Sequence, residues 1–191
     1  YNDSGYAWNF PKSDGLSLGI GGFVKGQEKG KVGLPHKLLN YTKQFSVNEL
    51  DKKNLHGHPI LLYSGRQKLV HNRVMLIGEI AGCVDPLTAE GIRPAIKSGF
   101  LAAKVINYAL TKNDFKSLVN YDLAFHKEIG RDFYYARIMS YFLNKNLKRI
   151  LPMLTSVSAV NGFMSVFSGK STYHEKINWR RIGKLIWKSI F

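Results

Sequence analysis

The chain has 191 residues, 45% of them hydrophobic and 13% aromatic, a composition that excludes intrinsic disorder and supports a sizeable core. Its one cysteine, Cys83, excludes an internal disulfide and fits a reducing compartment. A formal net charge of +15 directs the chain toward anionic partners such as phosphates or acidic lipid headgroups; nucleic acid is the least favoured of these, because no recognised reader motif accompanies the charge.

Three regions follow one another: residues 1–68, 69–112 and 113–191. In the first, Tyr6, Trp8 and Phe10 alternate with smaller or polar residues, which places all three on one face of a strand. Ser13, Asp14 and Gly15 form a turn into a second strand over residues 16–23, and Pro35 starts a short helix over 34–45. His56 and His58 flank Gly57 with no carboxylate or further ligand at metal spacing, so they read as a loop pair and no metal site is expected.

The second region holds the most informative run. Residues 73–77 (Arg-Val-Met-Leu-Ile) suit a buried parallel strand, and residues 92–110 have helical spacing with few breakers. Between them lie Gly78, Glu79, Asp85, Pro86, Leu87, Thr88, Glu90 and Gly91. A strand end, a glycine-bearing loop and a helix start in succession make the crevice in which α/β proteins bind cofactors. The first amides of a helix lack intrahelical partners and carry partial positive charge, which favours an electron-rich planar ligand. Gly91 permits close backbone approach, Pro86 fixes the chain, Thr88 is the expected N-cap, and Glu79 is placed to accept hydrogen bonds from a ribose. Cys83 reads as a small packing residue.

The third region is helical. Phe125, Ile129, Phe133, Ile138 and Phe142 recur at helical spacing and read as core. Residues 151–169 carry no charge, but Pro152, Asn161, Gly162 and five Ser or Thr make them too polar and broken for a membrane span, so a buried or interfacial helix pair is expected. Residues 144–191 contain nine Lys or Arg against the single acid Glu175, which is +8 of the +15. Asn178 caps a predicted last helix over 178–191, with Arg180, Arg181, Lys184 and Lys188 on one face and Ile182, Leu185, Ile186 and Ile190 on the other. That helix either lies on a membrane surface or packs on its own domain.

Taken together, these stretches resemble the geranylgeranyl reductase family, FAD-dependent enzymes that saturate isoprenoid chains. Residues 78–92 resemble its second flavin-binding motif. Residues 5–12 (Gly-Tyr-Ala-Trp-Asn-Phe-Pro-Lys) are similar to its aromatic-x-Trp-x-Phe-Pro segment, and His58-Pro59-Ile60 with Leu69-Val70 and Arg73-Val74 resembles the approach to its returning strand. The family usually has Asp after the strand glycine, where this chain has Glu79. No Gly-x-Gly-x-x-Gly stands in a strand-to-helix context here, since residues 19–22 follow an aromatic strand.

The resemblance implies an α+β or α/β fold: the C-terminal part of a two-domain, hydroxylase-like FAD-binding flavoprotein. Residues 1–68 would end the substrate domain, 69–112 would return to the FAD domain, and 113–191 would form a helical region. It implies a C-terminal fragment, inactive alone, of an enzyme that delivers hydride from reduced FAD to an isoprenoid lipid or prenyl diphosphate. A reduced nicotinamide or a ferredoxin would supply the electrons, in a cytoplasmic protein peripherally associated with the membrane. It implies flavin contacts at Gly78, Glu79, Asp85, Pro86, Leu87, Thr88, Glu90, Gly91 and Ile92, and a prenyl-facing wall at Tyr6, Trp8 and Phe10; the proton donor is unassigned. A flavin-dependent monooxygenase or halogenase of the same fold is the alternative, and a basic membrane-associated module with a non-functional flavin site is a further one. Thr88-Ala89-Glu90-Gly91 and Gly82 favour the reductase.

Overall fold

The computed structural model describes residues 5–22 and 33–176, with the backbone alone at 52 and 144–154. The predicted helix over 178–191 lies outside the described residues. Two compact units divide between His58 and Pro59.

The first unit is a β-hairpin followed by a helix. Strands β1 (Gly5–Lys12) and β2 (Gly15–Gly22) pair antiparallel around the predicted turn, with Trp8 opposite Gly19, Tyr6 opposite Gly21 and Phe10 opposite Ser17. The period-two alternation therefore lays the three aromatic rings in a row, 5.8 Å between Tyr6 and Trp8 and 6.4 Å between Trp8 and Phe10. Helix α1 (Leu34–Thr42) begins with Pro35 in its first turn, as expected, and tightens into a 3-10 turn over Lys43–Phe45 that ends on Ser46 in the left-handed region.

The second unit is built around helices. A minimal hairpin, β3 (Val70–His71) with β4 (Val74–Met75), turns through Asn72 at φ 54°. Here the structure departs from the expected buried parallel strand over 73–77. Asn72 tolerates the left-handed conformation, so the chain folds back on itself, and the paired residues are antiparallel with Val74 63% and Ile77 47% exposed. Helix α2 (Ile92–Thr111) then runs as predicted.

From Asn113 onward the unit is helical: a 3-10 turn (Phe115–Val119), α3 (Asn120–Phe125), one π-helical turn (His126–Gly130), α4 (Arg131–Leu154), α5 (Val157–Phe167) and α6 (Tyr173–Lys176). The π turn ends on Gly130, where a Cβ would stand 2.8 Å from His126 Nδ1 and 2.9 Å from the Tyr63 hydroxyl, so glycine makes room for both rings. Phe125, Ile129 and Phe133 form the core as expected, with Tyr121, Leu69, Ala81, Cys83 and Ala102, while Ile138 and Phe142 are half-buried and lie outside it. A smaller cluster joins Ala136, Val166 and Tyr173. The charge-free stretch is divided between the end of α4 and α5; among the described residues no helix is long and apolar enough to cross a membrane.

Candidate functional site

The glycine-bearing loop is a chain of closed backbone turns set against α2. Gly78 has φ +65°, and a Cβ there would meet only ordinary contact, 3.6 Å from the Ala95 Cβ, so conformation rather than space selects glycine. Its amide donates to Ser98 Oγ at 2.9 Å, and the Ser98 hydroxyl donates in turn to the Ala95 carbonyl at 2.7 Å. A single 3-10 turn over Gly78–Ala81 ends on Gly82 at φ +61°, whose amide donates to the Glu79 carbonyl; the next amide, of Cys83, donates to the Gly78 carbonyl.

The outer side of this turn is braced by the segment before β3. Gln67 Nε2 donates to the Ala81 carbonyl at 2.5 Å and the Tyr63 amide to the Val84 carbonyl at 3.0 Å. Arg137 donates to the Ser64 carbonyl and His126 Nε2 meets the Gln67 carbonyl at 3.0 Å, which ties the same segment to α4 and the π turn. Cys83 is fully buried, and that burial pushes its thiol up to about 12, so it is held as a neutral packing group. Glu79 accepts from the Leu61 amide at 3.2 Å.

Asp85 organises the second half of the loop. It is 3% exposed, and its Oδ1 accepts from the amides of Leu87 at 2.7 Å and Thr88 at 3.1 Å. The Asp85 amide donates to the Glu90 carbonyl and its own carbonyl accepts from the Ala89 amide. Ala89 closes the turn at φ 58°. This additional turn delays the start of α2 and overturns the assignment of Thr88 as its N-cap. Gly91 is the N-cap and offers no side chain, while Glu90 Oε1 accepts from the Arg93 amide at 2.8 Å; Thr88 Oγ1 accepts from the Glu90 amide at 3.2 Å instead of capping the helix. At Gly91 space matters, because a Cβ would press to 3.1 Å from Val84 Cγ2.

The amides of Leu87, Thr88, Ala89 and Glu90 are thus consumed within the loop, and that of Arg93 by Glu90. Among the described residues no acceptor is bonded to the amides of Gly91 and Ile92. These two donors stand where a helix of 20 residues presents its positive end, a local field that suits a carbonyl or a delocalised negative charge. A flavin fits this donor set: its pyrimidine carbonyl edge accepts hydrogen bonds and gathers negative charge on reduction.

The aromatic residues singled out in the sequence belong to the first unit. Tyr6 is 54% and Phe10 60% exposed, so the row forms an open apolar shelf rather than the inside of a sheet core. Its flatness depends on residues that the sequence reading passed over. A Cβ on Gly19 would fall within the Trp8 indole, and one on Gly21 would stand 3.6 Å from the Tyr6 ring. The signal was present: Gly19 and Gly21 repeat at period two opposite the aromatic period. Ser98 and Tyr173 also went unnoticed, and neither stands in a motif; Tyr173 donates to Asp85 Oδ2 at 2.7 Å across 88 residues of sequence.

The chain is similar to known proteins over most of its length. The chain is 29% identical over 187 residues to digeranylgeranylglycerophospholipid reductase 3 of Methanosphaera stadtmanae, covering 95% of the chain and 46% of that protein. It is 31% identical over 147 residues to digeranylgeranylglycerophospholipid reductase 1 of Methanothermobacter thermautotrophicus, covering 73% of the chain and 36% of the relative. A solved geranylgeranyl bacteriochlorophyll reductase-like protein of Thermoplasma acidophilum superposes with a TM-score of 0.63 at 20% identity, covering 85% of this chain and 45% of that one, which shows the fold. The chain spans less than half the length of each of these proteins. No protein-family model matches it. The relatives that this chain matches over most of its length are named as geranylgeranyl-type reductases, the family that its own residues resemble.

Proposed function

We propose that this chain supplies the ring-binding half of the flavin site and part of the prenyl-binding surface of an FAD-dependent reductase that saturates isoprenoid lipid double bonds. The observation that carries the reading is the pair of open amides at Gly91 and Ile92, presented at the positive end of α2 by a turn whose amides from Leu87 to Glu90 are internally satisfied. The relatives' names point to isoprenoid-bearing glycerophospholipids as the substrate class.

In this mechanism bound reduced flavin supplies hydride chemistry. The chain's own residues bind and orient. Gly91 and Ile92 donate toward the electron-rich edge of the ring, and the helix dipole favours negative charge there. Gly78 and Gly82 give the loop its two left-handed turns, and Gly91 lets its backbone pack against Val84. Glu79, one methylene longer than the family's aspartate, would accept hydrogen bonds from the ribose. The Tyr6, Trp8 and Phe10 shelf offers stacked apolar rings to a prenyl chain that water solvates poorly. Asp85, Pro86, Leu87, Thr88 and Glu90 shape the loop that aims the two donors.

The test uses protein expressed from the complete reading frame. A yellow protein that bleaches with dithionite and then adds one molecule of hydrogen per double bond of a prenyl glycerolipid, read by mass spectrometry, is the expected result. A colourless protein overturns the flavin reading. Incorporation of oxygen or halogen into the lipid instead would assign a monooxygenase or halogenase.

A further inference from the structure

The Asp-Pro of the loop would be read from sequence as a direct contact to the cofactor, but in the structure neither oxygen of Asp85 is free. Oδ1 serves the Leu87 and Thr88 amides, and Oδ2 accepts from the Tyr173 hydroxyl at 2.7 Å with both groups buried. Tyr173 comes from α6, far along the chain, and is 4% exposed.

Tyr173 is itself held at several points. Thr172 and Glu175 form a reciprocal cap around it, with the Thr172 amide donating to Glu175 Oε2 at 2.8 Å and the Glu175 amide to Thr172 Oγ1 at 3.2 Å. The following amide, of His174, donates to Asp132 Oδ1 on α4 at 3.2 Å, and the His174 ring lies 5.2 Å from that of Tyr135. Burial raises the Tyr173 phenol above its ordinary range, with the Asp85 charge adding to that shift, so it remains a protonated donor.

We propose that Tyr173 is a positioning residue for the flavin-holding loop, acting through Asp85 to fix the direction in which the Gly91 and Ile92 amides point. The proposal rests on the flavin reading above. With its outer oxygen bonded to a rigid phenol, the Asp85 carboxylate can turn neither away from the Leu87 and Thr88 amides nor outward to water. The helices of the third region thereby set the geometry of a site that the sequence places wholly in the second.

The experiment compares Tyr173→Phe with Leu118→Ala in protein from the complete reading frame. Leu118 is buried in the core, takes no part in the hydrogen bonds among Tyr173, Asp85, Leu87 and Thr88, and controls for loss of stability alone. Three quantities are read: the flavin dissociation constant, the visible absorption envelope of bound flavin, and hydrogen exchange at the Leu87 and Thr88 amides. Tyr173→Phe is expected to weaken flavin by about tenfold, to shift the envelope and to speed exchange at those amides. Adding Asp85→Asn, which removes the charge left without its donor, should restore part of the affinity. Leu118→Ala should lower the unfolding temperature while leaving affinity and envelope unchanged. Wild-type affinity, envelope and exchange in Tyr173→Phe would overturn the proposal, as would an equal loss in Leu118→Ala. If the wild type binds no flavin, the flavin reading fails separately, and the exchange rates still decide whether Tyr173 holds the loop.

Discussion

The hydroxyl of Ser98, in the second turn of α2, accepts the amide of Gly78 at 2.9 Å and donates to the Ala95 carbonyl at 2.7 Å, so the loop's first residue and the helix move as one piece. Ser98 is fully buried, and Ser98→Ala would leave the part-buried Gly78 N–H without an acceptor. We expect a loss of about 1–3 kcal/mol of stability, the usual cost of an orphaned buried donor, read as a lower denaturant midpoint at unchanged slope.

Ala89 sits at φ 58°, a conformation that costs an L-residue with a Cβ roughly 1–2 kcal/mol. Glycine removes that penalty but loses about 0.5–1 kcal/mol of backbone entropy on folding. Ala89→Gly should therefore raise stability by up to about 1 kcal/mol, and the β-branched Ala89→Val should lower it by more than that; thermal unfolding of the two variants checks both signs.

The thiol of Cys83 is buried and carries an elevated pKa of about 12, so it presents neither thiolate nor access. Native protein should leave a disulfide reagent unreacted at neutral pH. One thiol per chain should appear on denaturation, since Cys83 is the only cysteine. Rapid modification of folded protein would contradict the burial.

Gly19 and Gly21 face the same aromatic row but differ in room. A Cβ on Gly19 would displace the Trp8 indole, whereas one on Gly21 would make ordinary contact with Tyr6. Gly19→Ala should cost about 1–3 kcal/mol and alter near-ultraviolet circular dichroism, with Gly21→Ala changing much less. Under the proposed function, Gly19→Ala should also raise KM for the prenyl substrate.

Asp132 has its carboxyl raised above the ordinary value of 3.8, chiefly by burial, even though it accepts the His174 amide. A raised folded pKa means that the stability it contributes is present in acid and is lost as pH rises through that folded value. Asp132→Asn keeps an acceptor for His174 without the charge. The variant should therefore match wild type in strong acid and become the more stable of the two as pH rises through the Asp132 titration, levelling off above it. Unfolding temperatures across that range provide the measurement.

Local periodicities were enough to read the elements themselves. The alternation of Tyr6, Trp8 and Phe10, Pro35 at a helix start, and the spacing of Phe125, Ile129 and Phe133 each express one short-range rule that the structure carries, whereas Ile138 and Phe142, given the same spacing, stay outside the core. The loop's glycines were legible for the same reason: left-handed φ at Gly78 and Gly82 and tight approach at Gly91 are backbone demands that only glycine meets without strain. What the sequence determined by itself was thus the order of elements and the place of the loop.

Tertiary structure decided the rest, because it depends on groups brought together from distant parts of the chain. Thr88 looked like a helix cap until the Asp85 turn moved the start of α2 past it. Residues 73–77 looked like a buried strand because four apolar side chains follow Arg73, yet burial depends on what pairs beside them, and Asn72 turned them back against Val70–His71. Ser98 and Tyr173 carry no motif at all; hydrogen bonds act over about 3 Å of space, and only the folded chain brings them within that distance of Gly78 and Asp85.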